Sequence, residues 1–211
     1  MTTPVRFLVT GFTPFPGAPV NPTEHLIRHF EANPPLAGEA VEFRFAVLPV
    51  DYGATIPALE QAVDGFDPHV AVHFGLAEEA SGFRFETLAR NEIAARIPDN
   101  AGRQPERTVI RPDAGHAPST LPLTGMADAL RSRGLAVEWS EDAGGYLCNY
   151  VFYHSAAGLC RGLGAAMSGF VHVGPVRLPG AAVADTAMDF GALVHGAEII
   201  LETCVRNFRD D

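Results

Sequence analysis

The sequence predicts a single α/β domain over residues 1–211, in which helices form layers on a largely parallel sheet. Short apolar runs rich in β-branched residues alternate with amphipathic segments along the chain, which is the pattern of successive βα units. The 211 residues are 47% hydrophobic and 19% charged, a balance that suits an ordered domain with a substantial core and argues against disorder. No internal repeat and no linker divides the chain.

The first half of the chain contains the clearest alternation of strands and helices. A helix signature follows the first strand, because Asn21 can cap a helix, Pro22 suits its first position and Glu24 lies in its first turn. Pro57 limits how early the second helix can begin. The predicted elements are strands over 6–12, 41–50 and 68–77 and helices over 21–32 and 52–63.

The second half is predicted to continue the alternation after an irregular stretch. Residues 83–102 read as extended at first and then as a turn at 98–102. A long loop or a short hairpin is predicted over 101–121, and irregular segments of this length often bind ligands or close over them. The remaining predicted elements are helices over 123–134 (closed by Gly134), 146–160 and 185–208 (capped by Asp185) and strands over 135–140 and 168–176.

Composition excludes several classes of protein. The formal net charge is −10 and no basic stripe exists, so nucleic-acid binding is not expected. The apolar stretches are interrupted well before the roughly 18 residues of a membrane span, and the N-terminus lacks the pattern of a secretory signal peptide. The three cysteines are scattered without a CxxC pair, which suits the reducing cytoplasm and predicts neither a disulfide framework nor a metal site.

Cys148 lies where a glycine turn leads into a predicted helix. Gly144 and Gly145 permit a tight turn, and the unpaired N–H groups and positive dipole end of the helix favour a thiolate in its first turn. The same N–H groups, including that of Cys148, can form part of an oxyanion hole. Most cysteines are simply buried, and Cys160 and Cys204 fall inside apolar helical stretches and are expected to be core residues. Cys148 is therefore the candidate nucleophile.

A cysteine nucleophile needs a histidine base and a group that orients the imidazole. His172 is the candidate base because it ends a predicted strand before a Gly-Pro turn, at the edge where α/β folds bind ligands. Glu86 stands between apolar residues on an extended segment, where burial is costly unless the carboxylate is paired. A solvent-facing glutamate on an edge strand stays open as the alternative, so the residues alone leave the Cys/His/Glu triad a hypothesis.

Four segments of the chain carry recognisable motifs. They are TGFTPFPGAPVNP at 10–22, FETLARNEIAARIPDN at 85–100, DAGGYLCNYVFY at 142–153 and GFVHV at 169–173. Together and in this order they resemble the opening, glutamate, cysteine and histidine segments of the pyroglutamyl-peptidase I family, cytosolic cysteine peptidases that remove an N-terminal pyroglutamate. Each motif alone is modest, but the set is highly specific.

The resemblance implies a twisted central sheet sandwiched between helices, no metal or other cofactor, and assembly into a homo-oligomer, a dimer or a tetramer, in the cytoplasm. It places the triad on Cys148, His172 and Glu86 and implies peptides with an N-terminal pyroglutamate as substrates. The implied walls of the substrate slot are Phe12, Phe15, Ile97, Tyr146 and Leu147. The implied supporting residues are Arg96 at the oxyanion, Asp99 and Asn21. Without the resemblance, phenylalanines in a glycine-proline turn would more readily be interpreted as loop anchors in the core.

Three alternatives stay open. They are a non-catalytic protein that binds lactams or amides, a thiol redox sensor, and an amidase that acts on glutamine. A binder needs no thiol at a helix N-terminus, and a sensor needs a resolving cysteine, whereas Cys160 lies about 120° around the predicted helix from Cys148. An open glutamine carries an α-ammonium that an aromatic slot does not pair. Departures from the family pattern, at Leu76, at 15–17 and at 174–182, concern the shape of the pocket rather than the triad.

Overall fold

The computed structural model describes residues 3–178 and 187–210. Over these residues the chain alternates between strands and helices, as predicted. The helices are α1 (Pro22–Ala32), α2 (Thr55–Val63), α3 (Leu123–Ser132), α4 (Leu147–Ala156) and α5 (Phe190–Asp210). The strands are β1 (Val5–Phe12), β2 (Val41–Leu48), β3 (Val70–Leu76), β4 (Phe83–Glu86), β5 (Leu88–Ala89), β6 (Ala117–Pro118), β7 (Val137–Ser140), β8 (Met167–Val173), β9 (Val176–Arg177) and β10 (Met188–Asp189).

Six of the strands form one sheet in the order β2-β1-β3-β8-β4-β7. The first four strands in that order are parallel to one another. Strand β4 runs antiparallel to β8 and parallel to β7, so the two strands at one edge are reversed. Separate short ladders join β5 to β6 and β9 to β10. The prediction of a largely parallel sheet is confirmed.

Helices cover both faces of the sheet, each face with its own hydrophobic core. Leu26 of α1, Met126 of α3 and Ile200 of α5 are buried in the core of one face. Leu59 of α2 and Val151 of α4 are buried in the core of the other face. The predicted sandwich of a sheet between helices is therefore confirmed. Burial on both faces also explains why the central parallel strands are apolar along most of their length.

The alternation of side chains along β8 decides which face of the sheet carries the candidate base. Val171 and Val173 point into the core shared with α1, α3 and α5, whereas Phe170 packs in the core shared with α2 and α4. His172 has the same parity as Phe170 in the strand, so it lies on the face covered by α4. Since Cys148 lies in α4, the fold brings these two residues to one face.

The helix that contains Cys148 is shorter than predicted. It ends at Ala156, where Gly158 adopts a left-handed conformation (φ 65°) that terminates the helix. The prediction that Cys160 is helical is therefore wrong, although the residue is buried as expected. Cys204 lies in α5 and is fully buried, as predicted.

Residues 101–121 form no hairpin of their own. Strand β6 pairs with β5, and Thr108 forms an isolated bridge with Ile93. The segment is thus a long loop that folds back on residues 88–93, which is the first of the two predicted alternatives.

The closing helix begins later than predicted, at Phe190, because β10 pairs with β9 immediately before it. The predicted cap, Asp185, lies outside the described residues, as does the part of the atypical segment from 179 to 182. The predicted strand over 168–176 is also interrupted, because a turn at 174–175 separates β8 from β9. In residues 3–178 and 187–210, no helix has the length and apolar character needed to cross a membrane.

Candidate active site

A cavity of about 720 Å³ opens beside the carboxyl ends of β1, β3 and β8 and the N-terminus of α4. Ligands of α/β proteins commonly bind at this edge of the sheet. Nine of the predicted site residues line the cavity, namely Phe12, Phe15, Asn21, Arg96, Ile97, Tyr146, Leu147, Cys148 and His172. Glu86 and Asp99 are buried and do not line it. Leu76, one of the departures from the family pattern, also contributes to the lining.

Cys148 occupies the second position of α4, as the glycine turn predicted. The Tyr146 side chain makes no capping hydrogen bond at the start of this helix. The first backbone bond of the helix runs from the Tyr150 N–H to the Tyr146 carbonyl (3.0 Å), which leaves the Cys148 N–H without a partner inside the helix. Gly144 has a φ of +79°, a backbone conformation that residues other than glycine rarely adopt. This bend directs the chain into α4. The Cys148 N–H is therefore available to an oxyanion.

Gly75 leaves the space that the Cys148 thiol occupies, and this residue was not identified from the sequence. A methyl group on Gly75 would lie 2.9 Å from the Cys148 Sγ and 2.7 Å from the Phe170 ring, so only glycine leaves room for the sulfur there. In the register of β3 and β8, Gly75 pairs with His172. The thiol consequently lies over the strand position next to the candidate base. The available signal was a glycine inside an apolar strand, which marks a place where another group approaches the strand backbone closely.

His172 and Glu86 are joined by a short hydrogen bond in the interior. The distance between His172 Nδ1 and Glu86 Oε1 is 2.7 Å, and the two residues are 5% and 0% exposed. They belong to the antiparallel pair β8 and β4, in which Glu86 is in register with Phe170. The second carboxylate oxygen, Oε2, has no hydrogen-bond partner among the described residues. Burial of the glutamate therefore depends on His172, as expected for a paired acid.

The pKa of His172 reflects a competition between burial and two neighbours. Burial in the sheet lowers the pKa of the imidazole, but the charge of Cys148, a hydrogen bond with its sulfur, and the bonded Glu86 carboxylate outweigh burial and raise the pKa to about 9. Because Nδ1 is bound to Glu86, Nε2 is the ring nitrogen that faces Cys148. The raised pKa favours the imidazolium form of His172 at neutral pH.

Aromatic side chains form one wall of the cavity. Phe12 is buried at the end of β1, and Phe15 is half-buried in the turn that follows. The turn is closed by paired backbone bonds between Phe15 and Ala18 of 3.1 and 2.9 Å. The ring of Phe15 lies 6.1 Å from that of Tyr146, whose hydroxyl donates to the Pro98 carbonyl at 3.0 Å. These contacts hold an apolar wall in the same cavity as Cys148.

Asn21 and Asp99 hold the loops that carry this wall. The Asn21 amide caps α1, as predicted, and its Nδ2 donates to the Thr13 carbonyl at 3.3 Å. Asp99 is buried, and it accepts the Tyr52 N–H at 2.9 Å and the Arg103 N–H at 2.7 Å. Burial raises the pKa of Asp99, but these backbone hydrogen bonds outweigh it and lower the pKa below the usual value. Both residues fix backbone and neither lies beside the thiol.

Arg96 is an exposed cation in the lining of the cavity. Within the part of the chain that the structure describes, it has no hydrogen-bond or ion-pair partner. Its guanidinium is therefore free to turn toward an anion in the cavity. By contrast, Arg84, which is in register with His172, is bound to Glu138 (2.9 Å) and Glu79 (3.0 Å).

Asn149 is a second residue that sequence reasoning missed. It follows the candidate nucleophile and is fully buried. Its Oδ1 accepts the Arg90 N–H at 2.8 Å, and its Nδ2 donates to the carbonyls of Arg90 and Glu92, both at 2.9 Å. The side chain thereby ties the segment after β5 to the first turn of α4. The signal was an amide side chain in the first turn of an apolar helix, which burial makes costly unless it is fully bonded.

Metal chemistry has no ligand set in the described parts of the chain. Over residues 3–178 and 187–210, no group of three or more His, Cys, Asp or Glu side chains could hold a metal ion. Three free cysteines are present, of which Cys148 is partly exposed and Cys160 and Cys204 are buried. Burial raises the pKa of Cys160 to about 12, and of the three cysteines only Cys148 lines the cavity.

Comparison with known proteins agrees with the fold and the motifs. The sequence model of the family described as pyroglutamyl peptidase matches residues 5–207. The pyrrolidone-carboxylate peptidase of Pyrococcus furiosus is 41% identical over 174 residues, which is 80% of each chain. That of Gloeobacter violaceus is 35% identical over 207 residues, 94% of this chain and 96% of the relative.

Solved structures give the same result. A crystal structure of the pyrrolidone carboxyl peptidase from P. furiosus superimposes with a TM-score of 0.83 at 33% identity, covering 96% of this chain and 99% of that chain. A mutant of the same enzyme superimposes with a TM-score of 0.84 over the same shares. The fold and these relatives define the class of the protein as a cysteine peptidase. Within that class, the chain belongs to the pyroglutamyl peptidase family.

Proposed function

We propose that the protein hydrolyses the amide bond after an N-terminal pyroglutamyl residue, with Cys148, His172 and Glu86 as its catalytic triad. The observation that carries the proposal is the position of His172, which bonds Glu86 at 2.7 Å and interacts with the Cys148 thiol at the floor of the cavity. The names of the relatives support the lactam substrate, because each is a pyrrolidone-carboxylate peptidase.

The lining of the cavity suits a small neutral ring. Pyroglutamate is a closed lactam without a free α-amine, so a site that selects it needs a compact apolar slot and a few hydrogen bonds rather than an ion pair. The aromatic wall supplies the apolar side of that slot, and Phe15 and Tyr146 pack against each other within it. Burial, with the charges of Asp99 and Cys148, raises the pKa of Tyr146 to about 12. The hydroxyl therefore stays protonated and keeps its hydrogen bond to the Pro98 carbonyl.

Acylation begins with the Cys148 thiolate and the His172 imidazolium. The sulfur attacks the carbonyl carbon of the pyroglutamyl residue, an S–C bond forms, and the π electrons move to the carbonyl oxygen. The Cys148 N–H stabilises this oxyanion, and Arg96 assists from the rim. As the intermediate collapses, the C–N bond breaks and His172 Nε2 donates its proton to the leaving amine. A thioester on Cys148 and a neutral His172 remain.

Deacylation reverses the proton flow. Water gives a proton to His172 Nε2 and attacks the thioester, and a second oxyanion forms at the same N–H. The C–S bond then breaks, which releases pyroglutamate and restores the thiolate beside the imidazolium. Glu86 keeps the proton of the neutral ring on Nδ1, so Nε2 is ready to accept. Asn21 and Asp99 support the slot by holding its loops.

The proposal is tested with three fluorogenic amides of aminocoumarin under reducing conditions. The pyroglutamyl amide carries the lactam, the glutaminyl amide carries an open chain with an α-ammonium, and the prolyl amide keeps the ring but lacks the lactam carbonyl. We expect turnover of the pyroglutamyl amide and at least about 100-fold lower kcat/KM for the others, because unpaired polar groups at a specific site cost several kcal/mol. Preferred cleavage of the glutaminyl amide would contradict the slot, and no turnover of any amide would favour a binding protein.

We further propose that residues 1–211 form one catalytic domain that assembles into a homodimer or homotetramer in the cytoplasm. The family resemblance supports the assembly, and the free state of all three cysteines supports a reducing compartment. Light scattering on the purified chain measures the assembly, and a monomer at micromolar concentration would contradict it.

A further inference from the structure

Arg90 is bound from both its backbone and its side chain to the segment that delivers Cys148. Its backbone N–H donates to Asn149 at 2.8 Å. Its side chain donates from Nε to the Glu141 carbonyl at 3.1 Å and pairs with Asp142 Oδ2 at 2.9 Å, with a longer contact of 3.9 Å to Glu92. The guanidinium therefore connects the strand segment after β5 to the turn before α4.

Asp142 connects Arg90 to the glycine turn. While its Oδ2 binds Arg90, its Oδ1 accepts the Gly144 N–H at 3.0 Å. A further backbone bond of 2.8 Å runs from the Ala94 N–H to the Gly145 carbonyl. The turn is thus held on one side by Arg90 through Asp142 and on the other by Ala94, and only Tyr146 and Leu147 separate it from Cys148.

We propose that Arg90 is a positioning residue, which acts through Asp142 to fix the glycine turn and so aims the Cys148 backbone N–H at the oxyanion. The inference rests on the proposed function, because the oxyanion belongs to the proposed acyl transfer. A preorganised donor is effective only when it is held at the place where charge develops. Arg90 and Asp142 line the cavity, but within the described residues no hydrogen bond or ion pair joins Arg90 to Cys148 or His172. Loss of Arg90 should therefore affect the oxyanion site and leave the thiolate intact.

The test compares Arg90→Met, Arg90→Lys, Asp142→Asn and the double variant Arg90→Met/Asp142→Asn with a matched control. Arg209→Met is that control, because Arg209 also binds one carboxylate (Glu39, 2.8 Å) and one carbonyl (Ala40, 3.3 Å). The exposed fractions of the two arginine side chains are nearly equal, 34% for Arg209 and 35% for Arg90. Arg209 lies outside the cavity lining.

Three quantities are measured for each variant. They are kcat and KM for the pyroglutamyl amide, the rate at which iodoacetamide alkylates Cys148, and hydrogen exchange of the peptide that covers 142–149. Alkylation requires the thiolate but forms no oxyanion, so it separates the two parts of the site. We expect Arg90→Met to lower kcat roughly tenfold, with KM and alkylation changed less than about twofold. Exchange over 142–149 should become faster.

The other variants test whether Arg90 acts through its bond to Asp142. Arg90→Lys should recover part of the lost kcat, because an ammonium replaces one of the two bonds of the guanidinium fork. The double variant should be no slower than Arg90→Met, since both changes cut the same link. Unchanged kcat and exchange in Arg90→Met would overturn the proposal, as would alkylation that slows with kcat, a rise in KM alone, or an equal loss in Arg209→Met. Wild type inactive on the pyroglutamyl amide would refute the proposed function instead, while the exchange arm would still decide whether Arg90 anchors the turn.

Discussion

The Nδ1 atom of His172 lies 2.7 Å from Oε1 of Glu86, across the antiparallel pair β8 and β4. Both side chains are buried, and this hydrogen bond is the one that the Glu86 carboxylate makes within the described residues. The contact fixes the plane of the imidazole and turns Nε2 toward Cys148. It also places a negative charge behind the ring, which stabilises the imidazolium that the proposed mechanism needs at its first step.

Replacement of Glu86 by Gln should move the pH dependence of activity. The pKa of His172 is raised to about 9, in part by Glu86, so the imidazolium and the activity are lost as pH rises through about 9. Removal of the negative charge lowers the pKa of His172 and shifts this alkaline limb to lower pH, while kcat falls at least about 100-fold. Profiles of kcat/KM against pH measure both effects. Glu86→Asp keeps the charge and should keep the limb near its wild-type position, and an unshifted limb in Glu86→Gln would contradict the proposed role.

Gly75→Ala should displace the thiol without removing it. The added methyl group would lie 2.9 Å from the Cys148 Sγ, so the sulfur must move away from His172. We expect kcat and the rate of Cys148 alkylation to fall together by at least roughly tenfold, with a loss of stability of about 1–3 kcal/mol from overpacking. Gly164→Ala is the matched control, because a methyl group there meets no atom within 4 Å. An alkylation rate in Gly75→Ala equal to that of the wild type would show that the thiol does not lie against Gly75.

Phe15→Ala should weaken substrate binding more than chemistry. Phe15 is half-buried, lines the cavity and packs against Tyr146 in the aromatic wall, so its truncation removes apolar contact with the lactam ring. We expect KM to rise roughly tenfold while kcat changes less, as for an interaction made equally in the ground and transition states. Phe190→Ala, which removes a half-buried ring in contact with His29 and outside the cavity, should leave KM unchanged. A fall in kcat at constant KM would assign Phe15 to the reacting centre instead.

His73 should make the protein less stable as pH falls. It is fully buried between the Thr10 hydroxyl (2.8 Å) and the Ser155 hydroxyl (2.9 Å), and burial lowers its pKa to about 3. Between the unfolded pKa of 6.5 and about 3, the unfolded chain binds a proton that the folded chain does not. The free energy of unfolding therefore declines toward acid by up to about 1.4 kcal/mol per pH unit from this residue. Urea unfolding at pH 7, 6 and 5 should show a shallower decline in His73→Gln, and parallel curves would contradict this assignment.

The parts of the molecule that depend on local chemistry could be predicted from the sequence. The cap of α1 is an example, because Asn21 bonds a residue two positions away. The placement of Cys148 at a helix start is another, since a glycine turn and an apolar run are adjacent in the chain. Local pattern also explains why α4 is predicted to be too long. The apolar pattern continues past Gly158, although the left-handed conformation of that glycine ends the helix at Ala156.

Contacts between distant segments could not be derived from local pattern. His172 and Glu86 are 86 residues apart, and their contact depends on the reversal of β4 against β8, which periodicity does not encode. Local sequence left Glu86 equally compatible with an exposed edge strand, and the family resemblance decided the assignment. The links from Asn149 and Asp142 to Arg90 also join segments that are distant in the sequence, and neither link was expected. Nothing in the spacing of charges distinguishes such a pair from an ordinary surface ion pair.

The central claim is that Cys148 is the nucleophile, and the most direct test compares two cysteine-to-serine variants. Cys148→Ser and Cys160→Ser are assayed on the pyroglutamyl amide under reducing conditions, after thermal unfolding has verified that both are folded. A serine hydroxyl is far less nucleophilic than a thiolate, so Cys148→Ser should lose at least about 1,000-fold in kcat. Cys160 is buried outside the cavity, and its variant should keep activity within about threefold of wild type. Activity that survives in Cys148→Ser would contradict the account.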